Sequence, residues 1–203
     1  PSNSATDLLT EKLADAGLNV VRIGNVSRVE DNLLMHTMEG VLQSLPEMQE
    51  VKKMKIESTK LRRNAEKFKR KFGHKERQER QDNYKEAKDL MYQARMLEDY
   101  IIAKILKEAD VICSTLVGAV SRYIEKMTFK TVIIDEAAQA LEPATWIPIC
   151  KANKVVFAGD PFQLPPTVKS LDAAKNGFNI TLLEKGLLRL EQVNLLDTQY
   201  RMH

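Results

Sequence analysis

The spacing of hydrophobic positions changes twice along the chain. Leu61, Ala65, Phe68 and Phe72, and then Leu90, Ala94, Leu97, Ile101 and Ile105, recur in steps of three and four. Such steps keep each set on one face of a helix, and predict two long helices over roughly 47–72 and 75–109. Gly73 falls between them, where the chain can reverse into an antiparallel hairpin. A single helix running through Gly73, at a cost of about 1 kcal/mol, is the alternative. Upstream, Leu8, Leu9, Leu13 and Leu18 predict a first helix, and 19–23 a strand.

After residue 110 the apolar residues come in short continuous runs. Segments 111–114, 131–134, 155–158 and 193–196 are brief and β-rich, with Pro, Gly and Asp between them. The clearest two show no alternation of period two, as expected for parallel strands covered on both faces. The fold class expected is therefore α/β, with the helical hairpin inserted in one crossover.

Composition narrows the picture. At 203 residues, 43% hydrophobic and 29% charged, the chain can bury a core and is not disordered. No apolar run approaches the roughly 20 residues of a membrane-spanning helix. The first residues lack the basic and apolar stretches of a signal peptide. Cys113 and Cys150 form no disulfide framework or metal spacing, so a cytoplasmic protein is expected, with the nucleus a second option in a eukaryotic source. Both cysteines are expected to be small buried apolar groups, and Trp146 to lie in the core. His36, His74 and His203 are scattered and suggest no zinc site. The net charge of +3 is unevenly spread: residues 47–90 hold 15 basic and 9 acidic residues, leaving a net −3 elsewhere. This basic segment could hold a nucleic-acid backbone. Its interspersed acids favour a solvated coiled-coil stalk instead, with Phe68 and Phe72 as packing knobs.

Three segments carry candidate chemistry. The run 131–134 delivers Asp135 and Glu136 to the C-terminal edge of a strand, where α/β proteins bind ligands. Asp135 suits a magnesium ion held with substrate phosphates, and Glu136 could polarise a water for attack on phosphorus. Asp135 acting only as the cap of a helix starting at Ala137 explains the pair equally well. The next apolar run ends in Gly159-Asp160-Pro161-Phe162-Gln163-Leu164-Pro165-Pro166-Thr167, which brings Gln163 to the same edge as a neutral phosphate sensor. Last, Gln199-Tyr200-Arg201-Met202-His203 offers a guanidinium fork for phosphate and a ring for base stacking.

Taken in order, these segments resemble the superfamily 1B, up-frameshift-like helicases, and most of all the immunoglobulin-mu-binding-protein type. The resemblance also rests on Pro1-Ser2-Asn3-Ser4-Ala5-Thr6-Asp7, Val21-Arg22-Ile23-Gly24 and Cys113-Ser114-Thr115-Leu116-Val117-Gly118-Ala119. It implies a RecA-like parallel sheet with helices on both faces, a P-loop NTPase-type lobe. Residues 1–45 and 110–192 would form the first motor lobe, 46–109 an inserted stalk, and 193–203 the start of the second lobe. It implies Mg2+ and ATP as cofactors, with Asp135 on the metal and Glu136, Gln163 and Arg201 catalytic. Gln139, Asp160 and Tyr200 would help bind ATP, Tyr200 by stacking on adenine. Ser2, Asn3, Thr115, Val117, Gly118, Pro165 and Thr167 would line a path for single-stranded DNA or RNA, mostly through phosphate and sugar.

The phosphate-cradling pattern G-x-x-x-x-G-K-[ST] occurs nowhere in the 203 residues. The expectation is a piece of a larger ATP-driven 5′-to-3′ motor, itself inactive as an ATPase. A non-enzymatic binding module on a degenerate motor lobe is the alternative, and a nuclease-linked helicase a third reading.

Overall fold

A computed structural model describes residues 2–25, 31–67, 73–190, 193–196 and 198. The chain divides into two compact units, residues 7–113 and residues 1–6 with 114–203.

Helix α1 (Asn3–Asp15) begins at Ser2, whose hydroxyl accepts from the Ala5 N–H at 3.2 Å. It stops at Gly17, in the left-handed region at φ 86°, with the Leu18 N–H reaching back to the Leu13 carbonyl. The inward face of α1 is not its leucines. Leu8 and Leu9 are 53% and 38% exposed, and Leu18 beyond the helix end is 39% exposed, whereas Thr6, Asp7 and Thr10 are buried. The reason lies in strand β1 (Val20–Ile23), buried at every position. Its Arg22 is fully buried and donates from Nε to Asp7 Oδ1 at 3.0 Å. Arg22 also donates to the carbonyls of Ile23 and Asn25, holding the chain as it leaves the strand. A buried guanidinium needs its donors satisfied, so small polar groups displace leucine from the facing helix.

Two short helices follow, α2 (Asp31–Leu34) and α3 (Met38–Ser44), the latter capped by Thr37. Helices α4 (Glu47–Glu66) and α5 (His74–Glu108) then pack along one another. Lys55 pairs with Glu98 at 2.7 Å and the Ser58 hydroxyl donates to the Ala87 carbonyl at 2.7 Å, so the helices run antiparallel. Their seam holds Met48, Val51, Ser58 and Ala65 against Ala87, Ala94, Ile101 and Ile105, all buried. The expected hairpin is present, and small residues at the seam let the two axes approach closely. Phe68 and Phe72, expected to be packing knobs, lie outside the described residues. From α5 the chain enters β2 (Val111–Ser114), which pairs with β1. Asn19 ties this junction, donating from its side chain to the Glu108 carbonyl while its N–H reaches Asp110. Cys113 is buried as expected, and burial pushes its thiol pKa up despite a bond from Thr10 and the nearby charge of Arg22.

In the second unit, β3 (Phe129–Ile134) and β4 (Ala152–Phe157) pair in parallel, joined through α6 (Glu142–Ile149). Helices α7 (Leu171–Ala173) and α8 (Leu182–Leu187) follow. The core gathers Ile134, Ala137, Ala138 and Leu183, with Leu116, Val132, Ile149, Val155, Phe157 and Leu187 against it. Three expectations fail here. Trp146 is 45% exposed, because Thr145 and Ile149 occupy the inner face of α6. Cys150, just past the end of α6, is exposed. Residues 193–196 form no strand: Leu195 and Leu196 are 86% and 93% exposed, and a β-rich run without a neighbouring ladder has nothing to pair with.

The Asp7–Arg22 pair makes a testable prediction. Arg22→Met should destabilise the fold by about 3–5 kcal/mol in denaturant unfolding, since it strands a buried carboxylate. Replacing both partners, Asp7→Leu with Arg22→Met, should cost less than the single change.

Candidate nucleotide-binding edge

Because Ile134 lies opposite Phe157 in the parallel register, β3 and β4 end in step. The pairing continues past the strands: the Ala158 N–H donates to the Ile134 carbonyl at 2.9 Å, and the Ala137 N–H to the Ala158 carbonyl at 2.8 Å. The loops carrying Asp135–Glu136 and Gly159–Asp160 are therefore sewn together at one sheet edge.

Glu136 adopts a left-handed conformation, φ 52° and ψ 43°. That region is uncommon for a residue with a Cβ and needs surroundings that hold it in place. Here the hold comes from both sides. Ala137 and Ala138 are buried in the core beneath, and Gly159 presses on their backbone from the next strand. A Cβ at Gly159 would lie 3.0 Å from the Ala137 nitrogen and 3.1 Å from that of Ala138, so only glycine fits this approach.

Asp135 is exposed, Glu136 half-buried and Gln139 exposed. The short 3-10 turn at Ala137–Gln139 has no side-chain cap, so Asp135 is not spent as the helix cap that its position also allowed. Asp160 is differently employed. Its carboxylate accepts from the Phe162 N–H at 2.9 Å and from Gln163 Nε2 at 3.2 Å, closing a turn that holds the Gln163 amide. Pro166 is buried and anchors the following loop, leaving Pro165 and Thr167 exposed.

Thr115 accepts from the Gly118 N–H at 3.0 Å and so shapes the 3-10 turn at Val117–Val120. Leu116 roots that turn in the core beneath the edge, while Val117 is 66% exposed. Ser2 caps α1 and is exposed, as is Asn3. Tyr200 and Arg201 lie outside the described residues. Among the described residues no three His, Cys, Asp or Glu side chains group as a metal cage. An exposed carboxylate with its oxygens uncommitted among the described residues nonetheless fits a hard cation shared with phosphates, which needs only one or two protein oxygens.

One support was missed in the sequence. Leu183 of α8 packs under Gly159 and the 3-10 turn. Its signal was the capping box Thr181–Glu184, in which each side chain accepts from the other's N–H. Helix α8 is clamped to α6 by Lys185 on Glu142.

The family model described as an AAA domain matches residues 1–171. The DNA polymerase alpha-associated DNA helicase A of Schizosaccharomyces pombe is 34% identical over the whole chain, which spans 29% of that protein. The DNA-binding protein SMUBP-2 of Mus musculus is 35% identical, with 20% of its length covered. The ATP-dependent helicase NAM7 of Saccharomyces cerevisiae is also 35% identical, with 19% covered. The fold is thus α/β, a partial RecA-like lobe with a parallel pair of strands and a helical hairpin. The chain belongs to the AAA domain family and, within it, to the superfamily 1B helicases.

The clamp beneath the site has a pH signature. The Lys185 ammonium holds the Glu142 carboxyl below the usual glutamate range. The stability this supplies is fully present above the ordinary glutamate pKa, and is lost as pH falls through the lowered value. Glu142→Gln should therefore flatten the acid limb of thermal stability against pH, and leave stability at neutral pH less dependent on salt.

Proposed function

We propose that this chain is a piece of an ATP-dependent helicase or translocase that moves 5′ to 3′ on single-stranded DNA or RNA, inactive as an ATPase by itself. The observation that carries this reading is the stitched edge of β3 and β4, which presents Asp135, Glu136 and Gln163 from adjacent loops. The names of the relatives, two helicases and a DNA-binding protein, support it.

In this reading Asp135 holds Mg2+, which when bound neutralises phosphate charge. Glu136 takes the proton of the attacking water as it adds to the γ-phosphorus, while the bond to the β–γ bridging oxygen breaks and ADP leaves. Its backbone, held by the close approach of Gly159 to Ala137 and Ala138, fixes the point from which the carboxylate extends. Gln163 reads the γ-phosphate, and Asp160 holds its amide ready by the 3.2 Å bond. Gln139 and Asp160 shape the nucleotide pocket. Tyr200 stacks on adenine, and Arg201 reaches the γ-phosphate. Ser2, Asn3, Thr115, Val117, Gly118, Pro165 and Thr167 line the single-strand path. We assign 1–45 and 110–192 to the first motor lobe, 46–109 to an inserted stalk and 193–203 to the start of a second lobe. No helix among the described residues is long and apolar enough to cross a membrane, and a cytoplasmic or nuclear motor is proposed.

Glu136→Gln in the full-length protein should lower nucleic-acid-stimulated ATP hydrolysis by about 10²–10⁴-fold while ATP binding persists. Gln163→Ala should weaken the link between nucleotide state and grip on the strand. Steady-state hydrolysis with and without single-stranded DNA or RNA checks both. Full activity in Glu136→Gln would remove the assigned base.

A further inference from the structure

In sequence, acids are interspersed among the bases of the hairpin, which favours a solvated stalk. On helix α5 the mixture sorts into stripes. Arg77, Arg80, Tyr84, Lys88, Tyr92 and Arg95 follow in steps of three and four and are all exposed. Those steps hold them on one face. Glu79, Asp82, Glu86 and Asp89 follow by the same steps on a different face, also exposed. Ala87, Ala94, Ile101 and Ile105 form a third, which is buried in the seam. At 1.5 Å per residue, the span from Arg77 to Arg95 makes a stripe about 27 Å long with no acid in it.

The stripe is aromatic as well as basic. Tyr84 is 37% and Tyr92 64% exposed, neither needed by the seam. The Arg80 guanidinium lies over the Tyr84 ring, 5.8 Å from its centre. Arg77, Arg80, Gln81 and Tyr84 together line a shallow cleft. Water-facing tyrosines between regularly spaced cations suit one kind of partner best. The cations track a phosphate backbone, and the rings give unpaired bases a face to stack on, which a duplex would withhold. An acidic peptide would satisfy the cations but leave both rings unused.

We infer that the Arg77–Arg95 face of α5 is a second binding surface for single-stranded nucleic acid, outside the path proposed along the motor lobe. This rests on the reading of the protein as a single-strand motor, and deepens it. Its binding is insensitive to sequence, because phosphates and ring faces carry little base information.

The test uses the full-length protein and a fluorescent oligothymidylate and oligouridylate, titrated at several salt concentrations. Arg77→Ala, Lys88→Ala and Arg95→Ala together should weaken binding at least tenfold. They should also reduce the slope of log affinity against log salt by about 2, each neutralised phosphate on a single strand accounting for about 0.7. Tyr84→Leu with Tyr92→Leu should weaken binding, and Tyr84→Phe with Tyr92→Phe should not. A control removing Lys52, Lys53 and Arg63, exposed on α4, should change affinity less than twofold. ATP hydrolysis without nucleic acid should be unchanged in every variant. If wild-type protein binds the strand and the stripe variant matches it in affinity and slope, the surface is refuted and the motor reading stands. Equal losses in stripe and control variants would also refute it, in favour of diffuse charge. No strand binding by the wild type would overturn both.

Discussion

The parallel register of β3 and β4 decides where every group at the proposed catalytic edge can be. With Ile134 opposite Phe157, both chains leave the sheet at one level, and the bonds through Ala158 extend the pairing into the loops. A shift of one residue would turn the inward Val132 and Ile134 toward solvent and lift Ala137 and Ala138 away from Gly159. The closeness of Gly159 to Ala137 and Ala138 then fixes the backbone of Glu136. A fixed backbone beneath the Glu136 side chain follows from strand pairing, one absent Cβ and a small buried core. Helix α8 and the turn at Val117–Val120 complete that core from two directions.

The other unit is organised by a buried ion pair. Arg22 sits among Val20, Val21 and Ile23, where a charge is costly unless its donors are met. Asp7 and the carbonyls of Ile23 and Asn25 meet them, tying α1 to β1 and to the segment after it. Such a pair adds geometric specificity more than net stability. The long helix α5 is returned to the strands through Asn19, so the hairpin is joined to this unit by directional bonds at its base.

Much of this was legible in the sequence because it depends on local pattern. The seam of α4 and α5 follows from heptad-like spacing, and β2, β3 and β4 from continuous apolar runs. The acidic loops were legible as strand-end carboxylates. What was not legible depends on partners far along the chain. Leu8 and Leu9 of α1 face outward because Arg22, on a different element, claims the inner face. Trp146 is exposed since Thr145 and Ile149 win the packed side of α6. Residues 193–196 have strand composition and no ladder beside them. The stripes of α5 are hidden in plain reading, since adjacent letters on a helix point about 100° apart.

Asp135 and Glu136 are proposed to form a phosphate-handling site on the β3–β4 edge. Its most direct test is Mn2+ bound with ATP to the full-length protein, followed by electron paramagnetic resonance, in wild type and in Asp135→Asn. Loss of protein-bound Mn2+–ATP by at least tenfold in Asp135→Asn, with the fold intact, is the result predicted. Unchanged Mn2+–ATP affinity and spectrum in that variant would contradict it.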